Sequence, residues 1–292
     1  MTAELFRERL HAKVLETTVS FDGTVGLFIR DLTSGFEIAV NPDTVFAIGS
    51  SIKIPILMTF CQAAATGRLS LDTAVTVRPA DKTPGSGVLQ HLDDPVTLTV
   101  RDLANLMILL SDNTATNLCI DLVGMDKVNG LLEALGSPTR GCGGRWSTRK
   151  RRRFAARIRP HPGKRPASWI SYSRGRAWPP GLVRRPAEQV SPVTRQSRAI
   201  LKKPKEGVIR RHLPPEIPVT HKTGGLEGVR ADVGIVLVPG RPCIFAGMTN
   251  YCVHDADGSM LAEVSRVVFD YLRVLSRSTA AGRMLPEKYL RR

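Results

Sequence analysis

Apolar positions change their period several times along the chain. Over residues 4–16, Leu5, Leu10, Val14 and Leu15 recur on roughly one side, which predicts an amphipathic helix. Residues 24–29 and 36–40 switch to β-branched and aromatic character, and Thr33-Ser34-Gly35 supplies a turn, so this pair predicts a hairpin. Ser50 opens a further helix running through Met58 and beyond, and residues 101–110, 114–123 and 125–135 read as three more. Strand character returns at 219–223, 232–238 and 244–248, with Pro239-Gly240 turning the chain between the last two. A closing helix over 260–275 aligns Leu261, Val264, Val268 and Leu272 on one face. Helix and hairpin, then helices, then a strand meander and a helix imply an α/β protein of the α+β type. Its expected architecture is an antiparallel sheet flanked by helices, joined to an all-helical lobe. Residues 1–45 and 199–292 are expected in the sheet lobe and 46–139 in the helical lobe. No internal repeat is visible.

Residues 140–198 fit neither lobe. They carry Arg149-Lys150-Arg151-Arg152-Arg153 and scattered prolines, with little apolar periodicity. The charge of the whole chain, +16, is concentrated there: 15 of the 42 basic residues and none of the 26 acidic ones lie between Ala134 and Ala187. Such a tract attracts phosphates in a salt-dependent way. Its aromatics (Trp146, Phe154, Trp169, Tyr172, Trp178) form no nucleic-acid-binding module, so no specific nucleic-acid partner is expected. With 292 residues and 42% hydrophobic content the chain can bury a large core, and no apolar run is long enough to cross a membrane. The charged start Met1–Arg7 lacks a secretion pattern, which places the chain as written in the cytoplasm, or in the periplasm or medium if an export signal has been lost. Five cysteines without a CxxC pair or metal-ligand spacing suggest reduced thiols, mostly in the core. No metal or cofactor is expected, and a monomer is favoured.

Candidate chemistry sits at three places. In Ser50-Ser51-Ile52-Lys53, a lysine one helical turn after a serine can take the hydroxyl proton and make the oxygen a nucleophile. By itself the tetrapeptide reads more readily as a helix N-cap followed by a solvated lysine. Ser111-Asp112-Asn113 joins two predicted helices; its serine and amide are able to relay a proton and hold a substrate amide, or simply to cap the second helix. Lys222-Thr223-Gly224-Gly225 lies on a predicted strand, where a cation and a hydroxyl grip a carboxylate and glycines admit a substrate to the backbone. Its plainer reading is a strand end running into a glycine turn.

Taken together, the three motifs occur as SxxK, SDN and KTG, with about 60 and then about 110 residues between them. In that order they resemble the signature of class A serine β-lactamases and penicillin-binding proteins. Flanking text such as Phe46-Ala47-Ile48-Gly49 and Thr114-Ala115-Thr116-Asn117 resembles the family as well, over residues 1–139 and 199–275. The resemblance implies Ser50 as the acylated nucleophile, Lys53 as its base or part of the base, and Ser111 as the proton shuttle to the departing ring nitrogen. It also implies Asn113 on the substrate's side-chain amide and Lys222 and Thr223 on its carboxylate. The N–H groups of Ser50 and Gly225, beside Gly224, would form the oxyanion hole. No motif fixes Arg230, which reads as a surface arginine with a conceivable part in carboxylate binding. The implied partners are β-lactam small molecules.

One family element is missing. Class A enzymes carry an acid that activates the deacylating water, and family spacing puts it near Ser147, inside the stretch with no Asp or Glu. Two explanations stay open: a genuine basic insert, or a segment translated out of frame. If Ser168, Ser171 and Ser173 use TCN codons, Ala167–Ser173 read two nucleotides later gives two apolar residues, an Asp and three apolar residues. That pattern resembles the family helix expected there. The leading function is therefore a β-lactam hydrolase working through an acyl-enzyme, with deacylation impaired. The alternatives are a penicillin-binding D-Ala-D-Ala peptidase or serine esterase, and a non-enzymatic basic nucleic-acid binder.

Overall fold

Residues 1–44 and 206–292 form one unit and residues 45–205 a second in the computed structural model. The structure describes residues 3–42, 44, 46–134, 192–252, 258–279, 282 and 284. The position expected for the missing acid, and the stretch 167–173, lie outside the described residues.

The first unit is built on a five-stranded antiparallel sheet of order β2-β1-β7-β6-β5, with β1 Thr24–Asp31, β2 Glu37–Val40, β5 Val219–Leu226, β6 Val229–Val236 and β7 Cys243–Asn250. The expected hairpin forms with Ile29 opposite Ile38, and β1 runs beside β7 with Phe28 opposite Ala246. Strands β5, β6 and β7 form the expected meander, which leaves β5 at an edge. Helices α1 (Ala3–Val19) and α7 (Ser259–Ser276) pack together, and Phe6 and Tyr271 stack with ring centroids 4.7 Å apart. Between them and the sheet lies a core of Leu10 and Val14, of Val25, Leu27 and Ile29, and of Leu261, Val264, Val268 and Leu272. The stripe foreseen on the closing helix is thus its buried face.

The second unit is organised around α2 (Lys53–Ala65), which is buried from Lys53 through Cys61 and so has no solvent face over most of its length. Packed on it are α3 (Val100–Leu109), α4 (Asn113–Val123), α5 (Met125–Ala134) and α6 (Pro192–Leu201). Two features were not foreseen. A short antiparallel ribbon, β3 (Ala74–Val77) with β4 (Val96–Thr99), accompanies the helices. The expected lobe boundary at residue 199 falls inside α6, which stays with the helical unit because Ile200 and Leu201 are buried there. No helix among the described residues is long and apolar enough to cross a membrane.

Candidate active site

Each unit carries half of the predicted constellation. In the helical unit, Gly49–Ile52 forms a 3₁₀ turn immediately before α2. Gly49 has φ +50°, a left-handed conformation that suits glycine and lets the chain turn sharply into Ser50. Residues i and i+3 lie over one another in a 3₁₀ turn, and the Lys53 N–H donates to the Ser50 carbonyl, so Ser50 and Lys53 share one face. Lys53 is fully buried. Its Nζ donates to the Ser111 carbonyl at 2.6 Å and to Asn113 Oδ1 at 3.2 Å. SxxK and SDN, 58 residues apart at their nearest, therefore meet at one side-chain nitrogen.

The SDN turn is held by its central residue. Asp112 caps α4 by accepting the Ala115 N–H at 2.9 Å on Oδ1, while Oδ2 accepts the Val88 and Leu89 N–H groups at 2.7 and 2.9 Å. The capping role anticipated for Ser111 or Asp112 thus belongs to Asp112. Ser111 itself is left-handed at φ +54°, a conformation uncommon outside glycine and asparagine. The Asn113 amide nitrogen donates to the Pro84 carbonyl at 3.2 Å, and its backbone N–H donates to Ser86 at 2.9 Å. Segment 83–89 is further stitched to α4 through Thr83–Thr114 and Asn117–Thr83 hydrogen bonds, both at 2.9 Å.

In the sheet unit, Lys222, Thr223, Gly224 and Gly225 all lie on the edge strand β5, as expected. Lys222 is buried, and its Nζ donates to the Thr223 carbonyl at 3.0 Å. Arg230 is paired directly opposite Gly225, and its Nη1 lies 2.5 Å from where a Cβ on Gly225 would stand. The absent side chain thus brings a guanidinium against the strand that carries Lys222, and Arg230 is more than a loose surface residue. Sequence reasoning missed the buried His221–Asp232 pair beside Lys222, with Nδ1 2.8 Å from Oδ1. The signal available was an ionisable residue on each of two strands otherwise rich in β-branched residues.

Four cysteines are free and buried: Cys61, Cys119, Cys243 and Cys252. Burial pushes the Cys61 thiol up to about 11, against a smaller opposing effect of the Ser197 hydroxyl, and pushes Cys243 up to about 12. Cys119 is raised by burial as well. Thiols in this state are inert core residues, as anticipated; Cys142 lies outside the described residues.

Among curated proteins, a beta-lactamase of Rhodobacter capsulatus is 30% identical over 138 residues, 47% of each chain. The chain spans 33–47% of the length of the first three curated relatives it matches. Among solved structures, a beta-lactamase of Sphaerobacter thermophilus superposes with TM-score 0.71 at 30% identity, covering 90% of this chain and 96% of that one. A mutant of PBP-A, solved as its acyl-enzyme complex with penicillin G, superposes with TM-score 0.72 at 25% identity, covering 93% and 97%. The model of the beta-lactamase enzyme family matches residues 8–158 and 189–272 and passes over 159–188, inside the basic tract. A match of that extent, on a fold of this kind, shows that the chain belongs to the beta-lactamase enzyme family.

Proposed function

We propose that this chain is a serine β-lactamase of the class A type that opens β-lactams through an ester on Ser50. The observation that carries the reading is the setting of Lys53. A neutral amine has two N–H donors and one lone pair. The Ser111 carbonyl and Asn113 Oδ1 accept from Nζ and hold the amine between the two motifs, and Lys53 shares a face of the 3₁₀ turn with Ser50. In that state Lys53 takes the Ser50 hydroxyl proton as Oγ attacks the lactam carbonyl carbon. The carbon–nitrogen bond of the ring then breaks, and the proton taken up by Lys53 is relayed through the Ser111 hydroxyl, which gives its own to the departing nitrogen and regains one from Lys53. Lys222 and Thr223, with Arg230 as a further cation, bind the substrate carboxylate. By resemblance to the family, Asn113 is assigned to the substrate's side-chain amide and the Ser50 and Gly225 N–H groups to the oxyanion.

Hydrolysis of the ester needs a second activated water. With no Asp or Glu between Ala134 and Ala187, the acid that serves this step in class A enzymes has no counterpart at its expected place. Acylation is therefore expected to outrun deacylation. That same gap, with the likeness to PBP-A, supports a second reading in which the chain is acylated by β-lactams as penicillin-binding peptidases are. Translation of the basic tract at about 140–198 out of frame would account for the gap, and the coding DNA decides it.

Labelling with penicillin G tests the nucleophile. Ser50→Ala is expected to abolish covalent labelling and Ser51→Ala to spare most of it, because only Ser50 stands three residues before the lysine. Undiminished labelling of Ser50→Ala would remove the assignment.

A further inference from the structure

The KTG strand has an unusual mechanical problem. Among the described residues β5 is at the edge of its sheet and is held by one ladder, to β6, while its side chains must meet a substrate. Edge strands are held less firmly than central ones, and a shift of one residue turns every side chain to the other face. Beside Lys222 the strand carries a second tie. His221 Nδ1 lies 2.8 Å from Asp232 Oδ1 and 3.1 Å from Oδ2, and the two side chains are 1% and 0% exposed. The register pairs His221 with Gly234 and Thr223 with Asp232, so the contact is diagonal, on the face that also bears Thr223.

The surroundings are shaped around this pair. A Cβ on Gly207 would stand 2.0 Å from His221 Cε1, and one on Gly234 2.5 Å from His221 Cβ. Asp232 Oδ2 also accepts the Ile209 N–H at 3.0 Å, while the Ile209 carbonyl accepts from Ser265 Oγ on α7 at 2.8 Å. One carboxylate thus ties β5, β6 and the segment around Ile209. Burying an ionisable pair costs desolvation that an apolar pair avoids, so stability alone is a poor reason for it, whereas geometric specificity is a good one.

We propose that His221 and Asp232 are positioning residues, which fix the register and tilt of β5 so that Lys222 and Thr223 meet the substrate carboxylate. The inference rests on the carboxylate-binding role given to those two residues above. It predicts that loosening the pair selectively harms anionic substrates, as loss of the cation itself would.

The test compares His221→Leu, which removes the donor, with His221→Asn, whose amide nitrogen takes nearly the place of Nδ1. Gly207→Ala serves as an independent variant in which the new methyl displaces the imidazole. Two measurements are made on the full chain: the rate of covalent labelling by penicillin G and by its neutral methyl ester, and hydrogen exchange of the peptide bearing 219–226 against those bearing β1 and β7. In His221→Leu and Gly207→Ala, penicillin labelling is expected to fall by about tenfold or more, with methyl-ester labelling within about threefold of the parent. Exchange in 219–226 is expected to rise by about tenfold while β1 and β7 stay protected. His221→Asn should restore both. Equal losses on the two probes, unchanged exchange in β5, or an Asn variant no better than Leu would overturn the proposal. A parent chain that penicillin G does not label would instead sink the proposed function, and the exchange comparison would still decide the role of the pair. Should His221→Leu fail to fold, His221→Asn and Gly207→Ala carry the same comparison.

Discussion

Replacing Asp112 by Asn changes one atom and strikes at the turn that presents both Ser111 and Asn113. The carboxylate is 1% exposed and accepts three backbone N–H groups, from Val88, Leu89 and Ala115. An Asn side chain has one acceptor oxygen. Turned toward Val88 and Leu89, it presents its NH₂ to the Ala115 N–H, and one charge-assisted bond is replaced by two opposed donors. Hydrogen bonds to charged groups contribute about 1.5–3 kcal/mol, and a buried donor without a partner costs about 1–3 kcal/mol. The expected loss is about 2–4 kcal/mol, a large fraction of the roughly 5–15 kcal/mol that stabilises a typical protein. Asp112→Ala strands all three donors and is expected to cost more. Thermal unfolding followed by circular dichroism should show a midpoint lower by about 3–7 °C for Asp112→Asn. Labelling by penicillin G should slow by about tenfold or more at a temperature where the variant is still folded, since a misplacement near 1 Å is enough for that. Gly87→Ala approaches the same site from the other side, for its Cβ would stand 2.2 Å from Asp112 Oδ2. An Asn variant that melts within about 2 °C of the parent and labels at the parent rate would refute the reasoning, because a buried bond of this kind cannot be inverted silently.

Lys222→Ala should weaken penicillin labelling by roughly tenfold to a hundredfold, the value of a charge-assisted bond, and should leave the methyl ester nearly unaffected; equal losses on both would give Lys222 another role. Cys61, Cys119 and Cys243 should resist alkylation in the folded chain at neutral pH and react on unfolding, since burial keeps them as thiols and the thiolate is the nucleophile. Peptide mapping after native labelling checks this, and rapid native modification of Cys119 would contradict its placement in the core.

Much of the fold was legible in the chain because its signals are local. The period of α7, the β-branched and aromatic character of β1 and β2 on either side of Thr33-Ser34-Gly35, and the turn at Pro239-Gly240 each lie within one element or one hairpin. What escaped depended on distant partners. The ribbon β3–β4 has two four-residue strands, too short for a clear alternation, and it pairs Ala74 with Thr99. Helix α6 begins inside the basic tract, whose composition obscured the burial of Ile200 and Leu201. At the site, SxxK, SDN and KTG were readable as text, but their support was not. That Asp112 holds Val88 and Leu89, or that His221 turns toward Asp232 instead of solvent, is a matter of which segments meet. A polar residue on a strand carries no mark of the face it will occupy until its neighbours are known.

The central claim is that Ser50, served by Lys53, is acylated faster than the resulting ester is hydrolysed. Time-resolved intact-mass spectrometry of the full chain mixed with penicillin G tests it most directly. The account predicts a rapid gain equal to the mass of one whole penicillin, mapping to the peptide with Ser50, persisting for many times its formation half-life and absent in Ser50→Ala. General-base help for the second step is typically a factor of about 10²–10⁴, so its absence should be plain in the ratio of the two rates. An unmodified mass throughout, with penicillin untouched, would contradict the nucleophile and its base. An unmodified mass with rapid consumption of penicillin would show that another group activates the water, with Glu133 and Glu188 the first acids in sequence to replace.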